Sequence, residues 1–308
     1  MTNKKTKFIL TDMLDYSTNK TFDVIIFSES IYYLDDLEKL PLMRVVRNIQ
    51  KILGNNDKID QLFSDPHNED SSNVVQHVID RYLENKKIIS YNQIPEYPSP
   101  SVPGHAGELV SGYLSGKPVL AAKGRFHYYE GHDWETLVLP VHLFHYLNVR
   151  TLIITNSSGS MRSSIKPGNL FLINGYLDCT FRDSAEDPQV INIRDSSSQL
   201  YEMVTIGASK NNIPLSEGNY CWALGPSYET PAEITYFQSL GGDVVGMSTV
   251  PEMMEAKKCG MDILGISCVT NFAAGLSDSP PNHEEVIETA EKTKHEFIKL
   301  LKAILHCY

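Results

Sequence analysis

The sequence predicts a single-domain α/β fold, a sheet with helices on both faces, and three observations predict it. Short apolar, β-branched runs recur from Phe22 to Val269 and read as buried strands. Segments with helical apolar spacing lie between several of them, the alternation of an α/β sheet. A composition of 42% hydrophobic and 21% charged residues over 308 positions is globular and supplies a full core.

Taken in order, Phe22–Ser28 reads as a strand after the polar STNKT. Asp35–Leu53 has helical spacing through Leu37, Leu40, Val45, Ile49 and Ile52, and Val74–Leu83 reads as a second helix. The proline-rich IPEYPSPSVPGHAG that follows is extended. Strands are predicted over Pro118–Ala122, Thr151–Thr155, Asn169–Ile173, Tyr220–Leu224, Val244–Gly246 and Ile263–Val269. Helices are predicted over Trp134–Leu147, Asp195–Lys210 and Pro231–Leu240. The last helix has Asn282 as its cap, Glu285 completing a capping box, and an apolar stripe from Val286 to Ile304.

Turn chemistry divides the chain. Gly54 is the only glycine in residues 1–86, and the other 18 follow it. The expected organisation is therefore a divergent N-terminal segment, 1–86, packed on the same sheet as a core spanning 87–308.

Charge and cysteines exclude several classes. A net charge of −11 without a block of Lys/Arg lacks the footprint for nucleic acid or for an anionic membrane surface. No apolar run reaches the ~18 residues of a membrane span, and the first residues do not read as a signal peptide. Five cysteines without a C-x-x-C pair argue against a disulfide framework or structural zinc and fit a reducing cytosol. No metal is expected: His142 and His145 share a predicted helix without an acidic or Cys partner in that segment.

The predicted strand ends carry polar, glycine-rich text: GRFHYYEGH, TNSSGS, GPSYETPAE, GMSTVPE and CVTNFAAG. Ligands of α/β sheets sit where strand ends meet loops, so these segments converge on one candidate pocket. Within it, Arg125 offers a planar multi-donor fork for an anion, with His127 on the same side of an extended chain. Glu229 can accept from an N–H donor, and the Asn271 amide can donate and accept at once.

In order along the chain, SVPGHAG, GRFHYYEG, TNSSGS, GPSYETPAE, VGMSTVPE, GISCVTNFAAG and NHEEV resemble the trimeric class of purine nucleoside phosphorylases. The resemblance runs from about Lys87 to Tyr308. It implies a three-layer αβα fold around a mixed twisted sheet, and phosphorolysis of purine nucleosides to free base and ribose-1-phosphate, a salvage reaction. It implies inorganic phosphate as co-substrate, no cofactor, and a cytoplasmic homotrimer.

The resemblance also implies roles. Arg125, His127, His105, Ser248 and the main chain at Ser157 and Ser158 would hold phosphate. Tyr228, Glu229, Thr270 and Asn271 would hold the base, with Glu229, Asn271 and His127 carrying the catalysis. Tyr129, Met247 and His283 would contact the ribose, and Glu130 would orient His127. Methylthioadenosine phosphorylases carry Ser-Thr where this chain has Glu229-Thr230, and Asp in place of Asn271. The base pocket therefore reads as one for 6-oxopurines.

Two departures from the family stand out. Its Gly-Ser-Gly phosphate loop corresponds best to IIFSESIYYL, where Ser30 is the phosphate candidate but no glycine is present and Glu29 would repel the anion. Residues 11–34 are also similar to the middle strand region of S-adenosylmethionine-dependent methyltransferases, without that family's glycine-rich loop. TNSSGS replaces Thr-Asn-Ala-Ala-Gly-Gly, and the loop through Phe181 and Ile193, which in the family reaches a neighbouring subunit, is short. The alternatives to a 6-oxopurine phosphorylase are a weakened or inactive nucleoside-binding homologue and a methylthioadenosine or adenosine phosphorylase.

Overall fold

The computed structural model describes residues 24–28, 79, 81–94, 97–100, 105–277 and 283–307. One mixed sheet runs through the molecule. Its strands are β1 (Val24–Ser28), β2 (Glu84–Ser90), β3 (Glu108–Leu114), β4 (Lys117–Lys123) and β5 (Thr151–Ser160). They continue as β6 (Leu170–Asp178), β7 (Ile191–Asn192), β8 (Leu215–Trp222), β9 (Val244–Gly246) and β10 (Asp262–Phe272). The helices are α1 (Trp134–Leu137), α2 (Leu139–Tyr146), α3 (Ser198–Lys210), α4 (Pro231–Ser239), α5 (Val250–Lys258) and α6 (His283–Cys307).

β2, β3 and β4 form an antiparallel meander. β1 lies between β4 and β5 and is parallel to both. β5 is ten residues long and serves two neighbours on one edge: its first half pairs with β1, and Gly159 and Ser160 pair with β9. Its other edge pairs with β10, which pairs in turn with β6, then β8, then β9. Those five strands close a ring, so half of the sheet folds back on itself as a small barrel. Bulges at Val269/Asn271 in β10 and Ile173/Gly175 in β6 supply the bend.

The β5 run LIIT and the β10 run ILGISCVT are buried on both faces, as parallel strands covered on both sides are. α6 packs on α3 and β10, while α5 lies on β5, β6 and β10 with α2 against it. The main core spans both sheet halves, and a smaller cluster of Met161, Leu177, Cys221, Phe237 and Ala273 lies apart from it.

Several elements differ from their sequence prediction. β5 runs to Ser160 rather than Thr155, β6 to Asp178 rather than Ile173, and β8 begins at Leu215. Each extension is polar or glycine-bearing, which weakens the strand signal. The predicted helix Trp134–Leu147 divides at Val138, because Pro140 begins a new helix. The start of Asp195–Lys210 is a single 3₁₀ turn ahead of α3. β2, β3 and α5 were not predicted. Within Val74–Leu83, Ile79, Arg81 and Tyr82 are helical. The predicted helix Asp35–Leu53 and the cap Asn282 lie outside the described residues.

Candidate active site

The site begins where β4 ends. Gly124 turns the chain at φ +143, where a Cβ would meet the Gly107 nitrogen at 3.0 Å. Arg125 then enters the interior and is fully buried. Its Nη1 donates to Ser248 Oγ and, at 2.9 Å, to Thr249 Oγ1. Nη2 donates to Thr155 O at 3.2 Å and lies 2.9 Å from Glu252 Oε1. Glu252 is itself buried; burial pushes its carboxyl above the ordinary range, and the guanidinium opposes that rise.

Thr249 explains how Ser248 and Glu252 come to face one guanidinium. It is the N-cap of α5 and holds φ +77, an uncommon conformation for a β-branched residue. Its hydroxyl accepts from Arg125 and, at 2.9 Å, from Asn156 Nδ2. The turn thus presents Ser248 on one side and the first turn of α5, with Glu252, on the other.

His127 follows in extended backbone and leads into a 3₁₀ turn, Tyr128–Glu130. Glu130 Oε1 accepts from the His127 backbone and lies 3.1 Å from its Nδ1. The carboxylate thereby fixes the ring orientation through Nδ1. Tyr129 stacks on His127 with centroids 4.6 Å apart. His105 Nδ1 accepts from the Arg125 backbone at 3.3 Å, and its ring lies 5.7 Å from that of His127.

A second wall is the pair β5–β10. Ser157 and Ser158 stand in the ladder opposite Cys268 and Val269. Ser267 Oγ donates to Asn156 Oδ1 at 2.5 Å and, with its one proton so used, accepts from Ser158 Oγ at 2.6 Å. Thr270 falls at the β10 bulge, and Asn271 resumes the register opposite Gly159. Asn271 Oδ1 accepts from Thr270 Oγ1 at 2.9 Å, and its Nδ2 donates to Phe272 O at 2.9 Å. That leaves one N–H and one lone pair of the amide for a ligand. A Cβ at Gly159 would press on Nδ2 at 3.3 Å, so the glycine makes room for this amide.

The third wall precedes α4. Glu229 Oε1 is buried and has no hydrogen-bond partner among the described residues. Burial raises its carboxyl above the usual range. The next residue, Thr230, caps α4 and exchanges hydrogen bonds with Glu233 in a capping box. Gly275, four residues beyond Asn271, sits against Pro231, joining this wall to the β10 wall. Tyr228 is 44% exposed at the rim. A Cβ at Gly225 would strike both Met247 and Tyr129, so these two side chains converge there.

The structure thus gathers Arg125, His105, His127, Glu130 and Ser248 into one corner, with Tyr129 and Met247 beside it. Ser158, Thr270 and Asn271 share the neighbouring wall, and Glu229 and Tyr228 stand before α4. Ser30 and the side chain of His283, whose backbone opens α6, lie outside the described residues. Ile193 is fully buried and Phe181 is 38% exposed, so of the two only Phe181 presents an open ring. Sequence reasoning missed Glu252, Thr249, Asn156 and Ser267. A signal existed for the first two: Thr, then Pro two residues on, then an acid is a helix-start pattern.

The profile of the phosphorylase superfamily matches residues 74–306. Purine nucleoside phosphorylase 1 of Bacillus subtilis is 41% identical over 237 residues, 73% of this chain and 86% of the relative. Purine nucleoside phosphorylase of Bos taurus is 34% identical over 239 residues, 72% and 83% of the two chains. The crystal structure of Schistosoma mansoni purine nucleoside phosphorylase in complex with inosine superposes with a TM-score of 0.69 at 26% identity, covering 96% of this chain and 95% of that one.

Proposed function

The chain belongs to the phosphorylase superfamily, and from that premise we propose how its three walls divide the phosphorolysis of a purine nucleoside. The enzyme releases the free base and forms ribose-1-phosphate, with inorganic phosphate as co-substrate and no further cofactor. Phosphate oxygen attacks C1′ of the ribose while the bond to the purine nitrogen breaks. Positive charge develops on the sugar and negative charge on the leaving base.

In this reading Ser248, His127, His105 and the Arg125 guanidinium hold the dianion, with main-chain groups at Ser157 and Ser158 and the Ser30 hydroxyl completing its shell. Tyr129 and Met247 flank the ribose, and His283 meets its 5′-hydroxyl. Glu229 accepts from the purine N1–H, Tyr228 covers the ring, and the free Asn271 N–H stabilises charge at N7 or O6 with Thr270 bracing the amide. Such a pair favours inosine and guanosine over adenosine, because a mismatched partner leaves a buried polar group unpaired.

Glu229 is the observation that carries this reading: a buried carboxylate oxygen without a partner among the described residues is costly unless a ligand supplies the donor. We also infer a homotrimer, with Phe181 on the loop that reaches a neighbour, in a reducing compartment where Cys179, Cys221, Cys259 and Cys268 form no disulfide. Among the described residues no helix is long and apolar enough to cross a membrane.

The test is hypoxanthine release from inosine by the purified protein with and without phosphate. Release is expected only with phosphate, and a stable product level without it, or none with it, overturns the proposal. Arg125→Ala is expected to raise KM for phosphate. Asn271→Ala is expected to lower kcat by about 10²–10³, the usual effect of removing one donor to developing charge.

A further inference from the structure

We propose that His142, Glu255 and Cys259 form a site for a divalent ion of the zinc class, between α2 and α5 and one helical turn from Glu252. Sequence spacing hides this group, because His142 comes from one helix and its partners from another more than a hundred residues on. In the fold, one ligand atom from each lies within 4.8 Å of the other two. His142 Nε2 stands 3.3 Å from Glu255 Oε1. Glu255 lies on α5 and Cys259 is its C-cap, four residues on and still in helical backbone, so both face the same way.

The donor set fits the ion. Imidazole, carboxylate and thiolate together are characteristic of zinc sites, and three protein ligands leave a fourth position for water. Zinc bonds of about 2.0–2.3 Å place tetrahedral ligand atoms roughly 3.3–3.8 Å apart. The His142–Glu255 pair already has that spacing, and the Cys259 sulfur lies within 4.8 Å of both ligand atoms. Glu255 is buried while His142 and Cys259 are half-buried, so the carboxylate is fixed and the open side faces solvent. Lys258 Nζ holds Glu255 Oε2 at 2.8 Å and leaves Oε1 toward the histidine. On binding, the thiol proton passes to solvent as the sulfur–metal bond forms.

The site stands apart from the chemistry but shares its helix. Glu252, one turn before Glu255, faces Arg125. An ion at Glu255 therefore pins α5 to α2 one helical turn along from the residue that faces Arg125. No catalytic step passes through the ion.

Cobalt(II) is the probe. Chelator-treated protein is titrated with Co²⁺ while the thiolate-to-cobalt charge-transfer absorption is followed, and Zn²⁺ is then added. One equivalent of Co²⁺ is expected to give the absorption, and Zn²⁺ to abolish it. Cys259→Ser and His142→Asn should each lose it or weaken binding about tenfold or more, while His145→Ala keeps it. Thermal unfolding without metal shows that each variant is folded, and Zn²⁺ should raise Tm only in wild type and His145→Ala. No charge-transfer absorption in wild type, or one unchanged in Cys259→Ser, overturns the proposal.

Discussion

Glu229 and Glu252 are both carboxylates that burial holds above the ordinary range, but only Glu252 faces a cation. Among the described residues, Glu229 keeps an oxygen without a donor. As pH falls it takes up a proton sooner than a surface acid of ordinary pKa, about 4.3, and then no longer accepts from a purine N–H. An acid-side loss is therefore expected in kcat/KM for inosine. In Glu229→Gln the remaining activity should lack that limb. Stability moves the other way. A raised folded-state value means that the folded chain binds more protons than the unfolded one between the two values. The contribution is full below the unfolded value and is lost as pH rises through the folded one. Wild type should therefore gain Tm relative to Glu229→Gln on acidification through that window, which paired melts would measure. An equal pH dependence in both proteins would remove Glu229 from the base site. This residue was legible in the sequence as a charge following a strand end. Glu252 was not, since nothing local says that an acid at a helix start will meet an arginine 127 positions earlier.

At the scale of elements, side chains are aimed by turns and bulges rather than by regular structure. The α4 cap is the clearest case, because Thr230 both starts the helix and follows Glu229 directly. Thr230→Ala removes the side-chain acceptor of Glu233 N and the partner of Glu233 Oε2. Its expected cost is about 1 kcal/mol of stability, read from denaturant melts. If the cap also positions Glu229, KM for inosine rises while KM for phosphate stays unchanged. A parallel change in both constants would assign the cap a purely structural role. The T-P-A-E run carries the capping-box pattern in the sequence itself. The strands that escaped prediction have a different cause. β2 opens on the charged ENKK and β3 is broken by Ser111 and Gly112, so neither shows the apolar alternation that marks a half-buried strand. The closed ring was also beyond local reading. β5 pairs with three strands, and only the three-dimensional register reveals that.

For the whole molecule, the sequence match and the sheet disagree about where the fold begins. The superfamily profile starts at residue 74, yet β1 lies at 24–28 in the interior of the sheet. Its backbone pairs with Val119–Lys123 on one side and Leu152–Thr155 on the other, and so joins the β2–β3–β4 meander to the ring. We propose that β1 belongs to one cooperative unit with the meander and the ring rather than to a separable domain. Without β1, the facing edges of β4 and β5 lose their ladder partners together. Each buried backbone group left unpaired costs about 1–3 kcal/mol, and several at once match the whole stability of an ordinary domain, about 5–15 kcal/mol. A chain beginning at residue 74 is therefore expected to lack a cooperative unfolding transition, although it contains Arg125, Glu229 and Asn271. Circular dichroism melts of that truncation beside the full chain decide the point. A cooperative transition within a few degrees of the full-length value would show that the meander and the ring hold together without the strand between them.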